Sequence, residues 1–170
     1  MASVPEETRT LADLFVLACA TERAAAHFYE GLAHLFRDHP EISAFWTMMM
    51  KDEFAHERQL TEIKGGLSAD RLRKPAERDL VEQLEKEVSR FMPKFDLAAI
   101  ETLDDAYEVA YELEYSEVNS VYKAIVNKYV SAGDRLTFVL AQNLEHVSRL
   151  ETFSKSVADE TRRFSILPHH

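Results

Sequence analysis

The chain has 170 residues, 46% of them hydrophobic and 29% charged, with 30 Asp and Glu against 20 Lys and Arg. That length suits one domain with a sizeable core, and a formal net charge of −10 argues against nucleic acid or an anionic membrane surface as partner. Four Gly and five Pro argue against a turn-rich all-β fold, and the single cysteine, Cys19, excludes an intramolecular disulfide or a four-cysteine metal site within one chain.

No stretch is long and apolar enough to span a bilayer, and residues Met1 to Thr10 are acidic with no apolar run. No signal peptide is visible, so the expected compartment is the cytoplasm and no membrane insertion is expected.

Four long segments carry the 3.6-residue hydrophobic period of helices. The first spans about 11–36, with Leu11, Phe15, Ala18, Glu22, Ala25, Tyr29 and Leu32 on one side. His39-Pro40 ends it, because the residue before proline disfavours the helical region. The second spans about 41–64, with Ile42, Trp46, Met49, Glu53, His56, Leu60 and Ile63 on its stripe and Gly65-Gly66 as its stop. A crossover of some 36 residues, Gly66 to Glu101, holds a shorter amphipathic helix over about 76–91 between Pro75 and Pro93.

The third long helix, about 103–130, opens on a Thr102–Asp105 capping box. Its stripe reads Ala106, Ala110, Glu114, Glu117, Val121, Ala124 and Ile125. After the Ser131-Ala132-Gly133 turn, the fourth covers about 134–157, with Leu136, Val139, Asn143, His146, Leu150 and Phe153 in line. Short links join the first helix to the second and the third to the fourth. The pattern predicts an all-α domain over 1–170, built as two antiparallel helix hairpins joined by the crossover.

The polar residues on these apolar stripes carry the chemical signal. A carboxylate there is costly unless something pairs with it. Glu22, Glu53/His56, Glu114/Glu117 and Asn143/His146 fall mid-helix on four stripes that would meet. An offset of 92 residues sets Glu22 on Glu114, and one of 90 sets Glu53 on Asn143 and His56 on His146, which suggests an old duplication. Taken singly, such a Glu usually faces solvent and such a His is usually a satisfied core residue. Together they suit a pair of divalent ions. Carboxylate oxygen and imidazole nitrogen bind iron or manganese, and four carboxylates balance the charge of two +2 ions.

At these residues the sequence resembles the rubrerythrin branch of the ferritin-like di-iron proteins. The run Glu22-Arg-Ala-Ala-Ala-His-Phe-Tyr29 is similar to that family's first helix, Glu53-x-x-His56 to its second, and Leu113 to Tyr122, with Glu114 and Glu117, to its third. His146 matches the histidine of the fourth. The resemblance covers about residues 10–157. It implies a ferritin-like four-helix bundle holding two iron ions, with manganese or zinc as possible substitutes. The implied ligands are Glu22, Glu53, His56, Glu114, Glu117 and His146. The implied activity is peroxide reduction or ferrous-iron oxidation, with peroxide, O2 or Fe2+ as the small substrate.

Two departures bear on that expectation. Asn143 stands where the family has a Glu, and a neutral amide cannot bridge two metals. The chain also lacks the four-cysteine iron domain of rubrerythrin proper, so redox turnover requires an external electron donor. The alternative is a degenerate bundle that binds metal or only oligomerises. Leu14, Val16 and Leu17 make a second apolar side on the first helix, from which a homodimer is expected. Tyr29, two turns beyond Glu22, is placed either to hydrogen-bond a site carboxylate or simply to pack. In the tail, Phe164, Ile166 and Leu167 are placed either to dock on a partner or to fray.

Overall fold

A computed structural model describes residues 9–115, 117–129 and 148–153, and their side chains except those of 117–121. Among these residues the protein is all-α, with no strand beyond one isolated bridge between Thr10 and Pro75.

Helix α1 (Leu11–Leu35) and helix α2 (Pro40–Gly65) form a long hairpin. Thr10 caps α1: its hydroxyl accepts from the Asp13 N–H, and the Asp13 carboxylate accepts from the Thr10 N–H at 2.8 Å. Pro40 sits in the first turn of α2, where its missing N–H costs nothing. The Ser43 hydroxyl donates to the Ala33 carbonyl at 2.8 Å and ties the two helices together near the turn. At the far end α2 stops at Gly66, whose φ of −79° is right-handed. The expected glycine stop is there, but its N–H closes back on the Glu62 and Ile63 carbonyls rather than through a left-handed residue.

The crossover begins with a short helix, α3 (Ala69–Leu72), capped by Ser68. It returns to the start of α1, where the Leu11 N–H donates to Lys74 and the Ala76 N–H to Arg9. Helix α4 (Arg78–Phe91) then buries Val81, Leu84, Glu87 and Phe91 against α1 and a later helix. Two 3-10 turns, Met92–Phe95 and Leu97–Ala99, lead to α5 (Leu103–Glu114), which opens on the expected Thr102–Asp105 capping box. Helix α6 (Glu117–Tyr129) packs on α4 and touches α2.

The single helix expected over 103–130 is therefore two helices. Helix α5 ends at Glu114 with Tyr115 as its C-cap, at φ −85° and ψ 0°. Residues 148–153 are helical and lie against α2, where Phe153 stacks on Phe45 with ring centroids 3.9 Å apart. The rest of the expected fourth helix lies outside the described residues. No helix among the described residues is long and apolar enough to cross a membrane.

The core divides into two apolar clusters. One gathers Tyr29, Leu32, Ile42, Trp46, Met49, Ala106, Ala110 and Leu150. The other gathers Leu11, Phe15, Ala18, Leu60, Leu84, Tyr122 and Ile125. Along α1 the gap between them runs from Ala18 to Ala25, and along α2 from Met49 to Leu60. Glu22, Glu53 and His56 occupy that gap, so a polar layer is held between two apolar ones. Of the second apolar side of α1, Leu14 is buried and Leu17 packs on the second cluster, while Val16 stays exposed at 57%. Leu14, Val16 and Leu17 line one surface cavity together with Val81 of α4.

Candidate metal centre

Helix periodicity places Glu22 on α1 opposite Glu53 and His56 on α2. Because Glu53 and His56 are three residues apart, their side chains rise from the same face one turn apart. His56 Nδ1 lies 3.0 Å from Glu53 Oε2 and 3.4 Å from Glu22 Oε2. All three residues are buried, His56 completely. One nitrogen and two carboxylate oxygens lie within 4.8 Å of one another. Donors bound to one ion at ~2.1 Å stand at most ~4.2 Å apart, so a small side-chain adjustment closes this group on a cation. A borderline-hard divalent ion such as Fe2+, Mn2+ or Zn2+ suits that mixture of oxygen and nitrogen.

The electrostatics of the metal-free cluster favour protons. Burial pushes the Glu53 carboxyl up to about 8, with help from the Glu114 and Glu22 charges and against the pull of His56. Burial alone would lower His56. The Glu53 and Glu22 carboxylates outweigh it and raise the imidazole well above its ordinary value. Both shifts favour the protonated form of these two groups, because burial and neighbouring like charges disfavour a second carboxylate charge.

Glu114, at the end of α5, stands outside this group but close enough for its charge to act on Glu53. Its Oε1 accepts a hydrogen bond from the Tyr29 hydroxyl at 2.8 Å, and the carboxylate is buried. Of the two roles open to Tyr29, the hydrogen bond to a carboxylate is the one formed, and it links α1 to α5. Burial raises the Tyr29 phenol well above its ordinary value, and the Glu114 and Glu53 charges add to the effect. On the opposite side the Tyr122 ring covers His56, with centroids 4.6 Å apart, and its hydroxyl donates to Gln59. Two tyrosines thus wall the polar layer.

Of the seven residues singled out from sequence, Glu22, Glu53 and His56 form one cluster, and Glu114 stands close enough for its charge to act on Glu53. Glu117 begins α6, with its side chain outside the described set. Asn143 and His146 lie outside the described residues.

The sequence reading missed Glu87. It is 1% exposed on the inward face of α4, with Arg90 Nη1 3.6 Å away as the charged group beside it. Its position between Leu84 and Phe91 on the apolar stripe was the available signal.

Comparison of the chain with protein-family models, with curated proteins and with solved structures finds no match.

Proposed function

We propose that this protein is a metal-binding, ferritin-like helical bundle of the rubrerythrin type that handles peroxide or ferrous iron at a two-metal centre. The observation that carries this reading is the buried Glu22/Glu53/His56 group, with three donors facing one point between two apolar layers. Glu22, Glu53 and His56 would hold one ion. Glu114, Glu117, His146 and, more weakly, Asn143 would hold a second.

Bound iron would supply the two electrons that reduce peroxide to water, or would itself be the ferrous substrate that is oxidised. The chain's own residues supply the surroundings. Tyr29 holds one oxygen of Glu114 in place. His56 and Glu53 give up protons as a cation enters. The Tyr29 and Tyr122 walls and the two apolar clusters limit the access of water. Sustained peroxide reduction would use an external electron donor, because one cysteine cannot build an internal iron relay.

The test is elemental analysis of protein purified without added metal, followed by anaerobic loading with Fe2+ and a peroxide-consumption assay. Two ions per chain, and a rate lost in Glu53→Ala, are the expected results. A loaded protein that consumes peroxide no faster than Glu53→Ala would refute the redox reading. The Asn143 substitution favours a second reading, a metal-binding or structural module without turnover. That reading is identified by zero or one ion per chain and no peroxide consumption.

A further inference from the structure

Three tyrosines, Tyr107, Tyr111 and Tyr115, recur at four-residue intervals and line one side of α5. Successive rings are in contact. Tyr107 and Tyr111 have centroids 6.0 Å apart, and Tyr111 and Tyr115 are closer, at 4.2 Å with planes 31° apart. The last two rings stand in solvent, Tyr111 at 37% and Tyr115 at 52% exposure. The Tyr115 hydroxyl donates to Glu151 Oε1 at 3.1 Å. Packing does not need this arrangement, since exposed aromatic rings on a helix surface bury little area.

We propose that Tyr111 and Tyr115 are an oxidative cross-linking site, at which a one-electron oxidant derived from peroxide joins the two rings. Each phenol loses one electron and its hydroxyl proton. Glu151 is placed to take the proton of Tyr115, being a carboxylate already within hydrogen-bond distance of it. The two phenoxyl radicals carry spin on the ring carbons beside the oxygens. Those carbons form the new carbon–carbon bond, and the hydrogens they held return aromaticity to the rings by moving to the oxygens.

The balance is two hydrogen atoms lost from the protein, as two protons and two electrons. The electrons break one peroxide O–O bond and the products are two waters. The bridge closes a covalent ring over the last turn of α5, the turn that carries Glu114. The inference does not depend on metal at Glu22, Glu53 and His56, because the surface rings and Glu151 suffice for it.

The test uses the full chain, dilute, with a ruthenium tris-bipyridyl photosensitiser and persulfate as the peroxide-class electron acceptor. The expected product is a monomer lighter by two hydrogens, with dityrosine fluorescence. Its tryptic peptide 95–123, which also holds Tyr107 and Tyr122, should yield no backbone fragments between residues 111 and 115. Tyr111→Phe and Tyr115→Phe should each lose the product, whereas Tyr107→Phe and Tyr122→Phe should keep it. Phenylalanine preserves the ring contacts, so loss of product then reports chemistry and not unfolding. Glu151→Gln should slow formation of the bridge without moving it. A bridge formed only between chains, or one that survives Tyr111→Phe or Tyr115→Phe, would overturn the proposal.

Discussion

Replacing Glu53 by Gln isolates the electrostatic cost of the metal-free centre. The amide has nearly the shape of the acid but no charge to bury. In the fold the Glu53 carboxyl is pushed from 4.5 up to about 8 by burial, so it stays protonated near neutral pH. In the unfolded chain it ionises. Holding the proton at pH 7, about 2.5 pH units above its ordinary value, costs about 3 kcal/mol. The amide removes that cost and weakens the hydrogen bond to His56, worth about 1 kcal/mol. Glu53→Gln should therefore stabilise the metal-free protein by roughly 2 kcal/mol at pH 7.

The sign with pH follows from the same linkage. An acid raised in the fold binds more protons folded than unfolded between its two values. Its contribution is therefore most favourable below about 4.5 and declines as pH rises to about 8. His56 acts in the same direction. Its raised value makes its contribution fully present below 6.5 and lost as pH climbs through the higher folded value. Urea unfolding with a chelator present, at about pH 5, 7 and 8.5, measures both effects. The wild type should weaken across that series and the variant should weaken less. A variant that is less stable at every pH, or has the same slope, would refute the assignment of the burial cost to Glu53.

The parts of this molecule that were legible from sequence are those written as periodicity or as caps. The α1 and α2 stripes put Glu22, Glu53 and His56 on inward faces, and all three are buried together. The break at His39-Pro40 and the Thr102–Asp105 box fall where local chemistry requires them. The Thr10–Asp13 box uses the same signal and could have been read as well.

Other features depend on tertiary contacts. The stripe through Ala110, Glu114 and Glu117 runs on unbroken in the sequence, and a period of 3.6 is too coarse to register the turn at Tyr115. Helix α3 is one turn long and gives no period. On the second apolar side of α1, Leu14 is buried within the chain and Val16 is exposed at 57%. The residues that cover a stripe across a long crossover are not written in the stripe itself.

Three further outcomes follow from individual contacts. Tyr29→Phe removes the hydroxyl that donates to buried Glu114 and should destabilise the protein by about 1–3 kcal/mol in denaturant unfolding; an unchanged midpoint would mean that the bond contributes nothing. Glu87→Leu fills the apolar stripe of α4 in place of a buried acid beside Arg90. It should be neutral or stabilising by about 1–3 kcal/mol, and a large loss would indicate that Glu87 has a structural role. The last outcome concerns metal affinity. A cation entering between His56 Nδ1 and the Glu53 and Glu22 oxygens must displace the protons held there, since a ligand nitrogen or oxygen cannot keep its proton and bind. Below about 8, where Glu53 is protonated, each proton released raises affinity by up to about tenfold per pH unit. Titration with Mn2+ between about pH 6 and 8 should therefore show tightening as pH rises, opposite in sign to the loss of metal-free stability. Metal then contributes most where the empty fold is weakest. Glu53→Gln should flatten the dependence, because one of the displaced protons is gone. An affinity that does not change over this range would mean that the cation binds without displacing these protons, and so somewhere other than between Glu22, Glu53 and His56.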